Sequence, residues 1–221
     1  ATFMRGVRWI NIPTTLLAQV DSGIGGKTAI DVDGYKNVAG AFWLPEEVVL
    51  SSHWLDTLPP REKLCGEGEV FKTALLSPDV YKLYRPGAVD AATIRACADF
   101  KFDVTSRDFT EGGLRKILNV GHTVGHALER EDDHRRSHGE YVVMGICLES
   151  YLCRDRIDPD FYRAIQETAT QLCDICAFEA AKIAAAAAAD KKNRDGKIII
   201  METRAVGNVG ERAFTRRQIE E

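Results

Sequence analysis

The 221-residue sequence predicts a mixed architecture: an α/β segment over residues 1–57, then an all-α, metal-binding domain over residues 58–221. Three observations carry that reading. Short β-branched, apolar runs at 7–12, 29–32 and 47–50 read as strands set apart by glycine and proline. Beyond Pro59-Pro60 the character changes, and most windows read as helix. Four of the five histidines fall between 122 and 138, and His122 and His126 are spaced to share one helix face.

Taken in order, residues 7–12 form a strand closed by Pro13, and 14–20 a short helix or turn. Residues 21–28 (DSGIGGKT) are a glycine-rich loop. After the strands at 29–32 and 47–50, helices are expected over 61–76, 90–107, 113–130, 139–156, 159–174 and 178–192. The first has prolines at its start and an acidic first turn. The alanine run 184–189 is a strong helix former that says little about chemistry. Residues 193–196 make a turn and 197–202 a late strand, with no internal repeat.

Composition bounds the function. At 45% hydrophobic and 28% charged the chain is ordinarily globular, and a net charge of −4 gives no general reason to expect nucleic-acid binding. No apolar run reaches the length of about 20 residues that a membrane helix needs. Residues at the start do not read as a secretory signal. Six cysteines with a single CxxC (Cys173, Cys176) point to free thiols in a reducing cytoplasm rather than to a zinc or redox motif. The chain opens on Ala1 and enters a structured-looking segment at once, which leads us to expect a piece of a longer protein.

Several constellations bear on chemistry. Residues 21–28 share the end of a phosphate loop (Gly25, Gly26, Lys27, Thr28) but not its start, and a tight turn with a solvated lysine fits the spacing better. Glu69 and Lys72, three apart, would share a helix face. Gly66 and Gly68 beside them suggest close backbone approach. Imidazoles gathered at His122, His126 and His138 suit a divalent metal. Spacing alone nominates His122 and His126 as joint ligands, and leaves open that one binds metal while the other moves protons. Arg115 and Asn119 would continue the histidine face N-terminally as one polar stripe, with Arg115 suited to a carboxylate.

The segments RGVRWINIPTTLLAQVDSGIGGKTAID, YKNVAGAF, TLPPRE, GEVFK, LRKILNVGHTVGHALE, HGE and DKKNRDGK occur in that order. Together they resemble the 3-dehydroquinate synthase family, from Arg5 to about Lys197. The resemblance implies a remnant of an NAD-binding α/β domain followed by the family's helical metal domain, with the glycine-rich dinucleotide segment lying upstream of the match. It therefore also implies that the isolated chain is inactive. It makes Glu69, His122 and His138 the zinc ligands, with cobalt as an alternative ion, and moves His126 to a role beside the reacting groups. Thr14, Thr15, Lys27, Lys36 and the stretch Trp54, Leu55, Asp56, Thr57 match NAD-contacting positions. Asp21, Asn37, Lys72, Lys101, Arg115, Asn119 and one of Lys191 and Lys192 match positions facing substrate, and of these Asp21, Lys72 and Asn119, together with Lys27 and His126, match the catalytic ones. Arg5 matches an arginine that reaches phosphate from a neighbouring subunit, which implies a homodimer.

The implied reaction converts 3-deoxy-D-arabino-heptulosonate 7-phosphate to 3-dehydroquinate and phosphate, through transient oxidation by NAD, β-elimination and an intramolecular aldol step. Alternatives are a sugar-phosphate cyclase of the 2-deoxy-scyllo-inosose or valiolone type, a metal-dependent polyol dehydrogenase, or a non-catalytic metal-binding fragment. The chain departs from the family's common AEVIKYG at 68–74 while keeping Glu69 and Lys72, and residues 130–137 are unusually charged.

Overall fold

The computed structural model describes residues 1–33, 35–176, 178–189 and 193–220, with backbone only at 31 and 35–37. Its first part is built from short pieces. Strands β1 (Ile10–Asn11) and β4 (Glu47–Val48) pair in parallel, and β2 (Lys27–Val32) and β3 (Tyr35–Phe42) form an antiparallel hairpin. The expected strand at 7–12 is therefore two residues long. A π-helical turn, Ala18–Ser22, replaces the start of the expected glycine loop, and Lys27 and Thr28 already belong to β2. The segment thus leads into a strand, not into the helix N-terminus that makes a phosphate loop an anion site.

From Pro60 onward helices dominate: α1 (Pro60–Leu76), α2 (Pro78–Leu83), α3 (Ala91–Arg107), α4 (His122–Glu131), α5 (His138–Leu152), α6 (Pro159–Leu172), α7 (Ala180–Ala188) and α8 (Arg216–Glu220). Local chemistry sets their starts. Asp90 caps α3 by accepting from the Thr93 N–H at 2.8 Å, and Pro159 opens α6 behind the capping Asp158. Ser137 and Glu140 form a capping box at the start of α5. The late strand is confirmed as β5 (Ile198–Ala205), but it pairs with a strand the sequence did not reveal, β6 (Asn208–Phe214).

The helix expected over 113–130 is broken. Residues Leu114–Asn119 form a 3-10 turn, Gly121 sits at φ 76°, and α4 starts afresh at His122. Arg115 and Asn119 therefore do not share a helix face with the histidines, and the single polar stripe does not exist. The expected helices over 139–156 and 159–174 end early, at Leu152 and Leu172. Of the one over 178–192, α7 covers Ala180–Ala188, and 190–192 lie outside the described residues.

The core sits where α1, α4 and α5 cross. Helix α1 is buried without interruption from Cys65 to Leu76, and α5 is buried over most of its length. Glycines let the backbones touch. A Cβ on Gly68 would overlap the Gly139 carbonyl, and one on Gly139 would overlap that of Cys65. On α4, a Cβ at Gly125 would come within 2.7 Å of the Tyr141 carbonyl. The close approach suggested by Gly66 and Gly68 is thus realised against Leu16 and Leu17 on one side and α5 on the other.

Candidate metal centre and its charged surround

The glycine crossings place Glu69 of α1, His122 and His126 of α4 and His138 of α5 in one cluster. Glu69, 1% exposed, presents Oε1 at 3.4 Å from His122 Nε2 and at 3.2 Å from His138 Nε2. Ring centroids are 5.1 Å apart for His122 and His126, 5.5 Å for His122 and His138, and 5.9 Å for His126 and His138. One nitrogen from each of the three histidines lies within 4.8 Å of the others.

Hydrogen-bond logic shows what the cluster can hold. His122 Nδ1 lies 3.0 Å from the Val120 carbonyl, which can only accept, so Nδ1 carries the hydrogen. In the neutral ring Nε2 then offers a lone pair toward a carboxylate oxygen. Two acceptors then face each other, and either a proton on Nε2 or a metal cation between them resolves the conflict. The nitrogen, nitrogen and oxygen donors fit a divalent ion such as zinc. His138 reports the same field: burial lowers its pKa, but hydrogen bonds to Glu129 and Glu69 raise it further, to about 9.

An alternating chain of buried charge runs outward from the cluster. Glu69 Oε2 ion-pairs with Lys72, Lys72 Nζ lies 3.1 Å from Asp21 Oδ1, and Asp21 Oδ2 lies 2.8 Å from Lys101 Nζ. Lys101 also donates to the Asp21 carbonyl at 2.6 Å. Burial would raise the Glu69 carboxyl pKa, but Lys72 and His122 outweigh it and hold the group well below its usual range. Burial likewise opposes ionisation of Lys72, yet Asp21 and Glu69 drive its pKa above the ordinary value. For Lys101 burial wins, and its pKa is lowered despite Asp21.

Comparison with known proteins assigns this arrangement to a family. The profile described as "3-dehydroquinate synthase N-terminal" matches residues 1–65, and "3-dehydroquinate synthase C-terminal" matches residues 64–193. The chain belongs to the 3-dehydroquinate synthase family. A 3-dehydroquinate synthase of Alkaliphilus metalliredigens is 36% identical over 230 residues, covering 96% of this chain and 64% of that protein. One of Thermococcus kodakarensis is 48% identical over 151 residues, covering 68% and 44%. The chain thus spans less than two thirds of the length of these curated relatives. Its fold matches 2-deoxy-scyllo-inosose synthase, solved with carbaglucose-6-phosphate, NAD+ and Co2+, at TM-score 0.86, 22% identity, 99% of this chain and 66% of that one. It also matches 2-epi-5-epi-valiolone synthase of Streptomyces hygroscopicus subsp. jinggangensis, solved with NAD+ and Zn2+, at TM-score 0.83 and 24% identity, with the same coverage.

Other positions that the family resemblance singles out are more dispersed. Arg115 is buried, but its guanidinium donates to the Phe109 carbonyl at 2.6 Å and lies against Gly25, on the glycine-rich turn. Asn119 donates to Glu111 Oε1 at 2.7 Å, and Lys27 ion-pairs with Glu111 Oε2, so one carboxylate joins two expected substrate residues. Thr14, Trp54, Asp56 and Thr57 are exposed, whereas Leu55 packs on the core. Thr15 Oγ1 accepts from the Ala18 N–H at 3.2 Å, capping the π-helical turn. Arg5 is exposed at φ 67°. Lys191 and Lys192 lie outside the described residues, as do the side chains of Lys36 and Asn37.

Three carboxylates escaped sequence reasoning: Glu111, Glu129 and Glu149. Glu129 of α4 presents Oε1 at 3.7 Å from His138 Nδ1, and Glu149 of α5 accepts backbone N–H groups at the start of α4. The charged segment 130–137 is ordered by Tyr141, whose hydroxyl donates to Asp132 at 2.9 Å and accepts from the Arg136 N–H at 3.1 Å. All six cysteines are free, as expected. Among the described residues no helix is long and apolar enough to cross a membrane.

Proposed function

We propose that this chain carries the metal and substrate machinery of a 3-dehydroquinate synthase, which converts 3-deoxy-D-arabino-heptulosonate 7-phosphate to 3-dehydroquinate and phosphate. The observation that supports it most is the convergence of Glu69, His122 and His138 beside the Lys72–Asp21–Lys101 chain, in a member of this family. In this reading residues 1–57 belong to the NAD-binding domain and residues 58–221 form the metal- and substrate-binding domain. Glu69, His122 and His138 hold the ion. When bound, a divalent zinc or cobalt ion lowers the pKa of substrate hydroxyls, and NAD accepts and returns a hydride.

The chain's own residues then bind and orient. Lys72 and Lys101, already paired with Asp21, supply fixed positive charge to an anionic substrate, while Arg115 and Asn119 supply donors for its carboxylate. Lys27, Asn37, Arg5 and one of Lys191 and Lys192 serve the phosphate end, with Arg5 arriving from the second subunit of a homodimer. His126 is the group that accepts or returns a proton at an imidazole nitrogen. Thr14, Thr15, Lys36 and 54–57 face NAD, with Lys27 also serving this side. In this reading the protein works in the cytoplasm on a small-molecule substrate, not on nucleic acid or membrane.

Two measurements test this. His122→Ala should abolish zinc retention, read by elemental analysis after dialysis, whereas His126→Ala should keep it. Equal loss in both would overturn the division of roles. Phosphate release from the heptulosonate, with NAD and zinc, is expected from this chain fused to the upstream nucleotide-binding segment of the Alkaliphilus relative. Release only from a sugar phosphate lacking the carboxylate would instead support a cyclase of the 2-deoxy-scyllo-inosose or valiolone type.

A further inference from the structure

We propose that Glu149 is a positioning residue for the metal centre, an inference that rests on the assignment of His122 as a ligand. Glu149 lies on α5 and is 3% exposed, and neither composition nor spacing gives it a role. Its carboxylate grips the start of α4. Oε2 accepts from the Gly121 N–H at 2.8 Å and Oε1 from the Val124 N–H at 2.9 Å, one on each side of His122 in sequence.

The first N–H groups of a helix have no partner within it, and buried they need one. Gly121 sits at φ 76°, so the chain turns sharply immediately before His122, and no side chain of its own caps α4. The cap comes from another helix. The His122 ring is in turn tied by Nδ1 to the Val120 carbonyl. Its direction is therefore set by backbone 120–124, and Glu149 holds that stretch at both ends. Close packing of Gly145 of α5 against the Gly121 carbonyl fixes the same corner sterically. Glu149 thus fixes where His122 Nε2 meets Glu69 Oε1.

Glu149→Gln keeps the shape but turns an amide N–H toward a backbone N–H. Zinc affinity, measured by competition with a chromophoric chelator, should fall by about 10–100-fold, the usual range when a group supporting a ligand is lost. The visible spectrum of the cobalt-substituted protein should change with it. Ile165→Ala, in the buried face of α6, serves as a control for general destabilisation and should melt lower while keeping wild-type zinc affinity. Wild-type affinity and an unchanged cobalt spectrum in Glu149→Gln would overturn the proposal, and so would an equal loss of affinity in Ile165→Ala. If Glu149→Gln fails to fold, Glu149→Asp, which withdraws the carboxylate by one methylene, is held to the same criteria. Retention of stoichiometric zinc by His122→Ala would instead show that the ligand assignment is wrong. Its loss, with Glu149→Gln unaffected, would leave the centre standing and remove only the role of Glu149.

Discussion

Residues 1–57 and the helical part that follows differ in how much apolar surface they leave uncovered. In the first, Ile10, Ile12, Leu44, Val49 and Trp54 are all exposed, and β1 and β4 form a parallel pair two residues long. Parallel pairing normally occurs in sheets buried on both faces, and among the described residues this part leaves apolar side chains beside such a pair exposed. In the second, α1 buries twelve consecutive residues, Cys65 to Leu76, and even its charged members are paired. The difference teaches where the metal centre gets its rigidity: mainly from helix crossings within the helical part, with Leu16, Val20 and the Asp21 carboxylate reaching in from the first.

The largest effect should come from the tightest crossing. Gly139→Ala forces a methyl group into the Cys65 carbonyl, and backbone cannot swing aside as a side chain can. A loss of about 3 kcal/mol or more is expected in urea unfolding, together with loss of zinc retention, since α1 and α5 must separate. An unaffected midpoint would mean that the crossing does not set the centre.

A medium effect concerns pH. In the metal-free protein the His138 pKa is raised above its unfolded value of 6.5 to about 9, so protonated His138 favours the folded state. That contribution is fully present below pH 6.5 and is lost as pH rises through about 9. The urea midpoint should therefore fall across that window, and Glu129→Gln should narrow it. Bound zinc replaces the proton, so the window should vanish in the zinc-loaded protein.

The smallest effect belongs to the first part. Ile12→Ser should change the stability of this chain by no more than about 0.5 kcal/mol, because the side chain is 53% exposed. Val70→Ser, at a fully buried position of α1, should cost several times more. Equal cost in both would break the contrast drawn between the two parts.

Much of this was legible in the sequence, for identifiable reasons. Helices α1, α3, α5 and α6 carry prolines or capping side chains at their starts, α6 adds a clear apolar stripe and α5 a nearly continuous apolar run, so local signals suffice. The histidine cluster was legible because two of its members sit one turn apart. The break at Gly121 was not, since the polar spacing runs on through it and only the backbone angle interrupts it. Strands β3 and β6 were hidden for another reason: each carries a glycine and several polar residues (Gly40, Gly210), so neither shows clean alternation. Glu111, Glu129 and Glu149 leave no trace in one dimension, because a lone carboxylate acquires meaning only from what folding brings opposite it.

The alternating ions Lys101, Asp21, Lys72 and Glu69 also help the two parts stay together in concentrated electrolyte. Dissolved ions weaken attractions they can surround, and the Lys72 and Lys101 side chains are only 2% and 9% exposed. The seam between the strand-rich half and the helical half should consequently hold in brine that loosens outlying pairs such as Arg95 with Asp99.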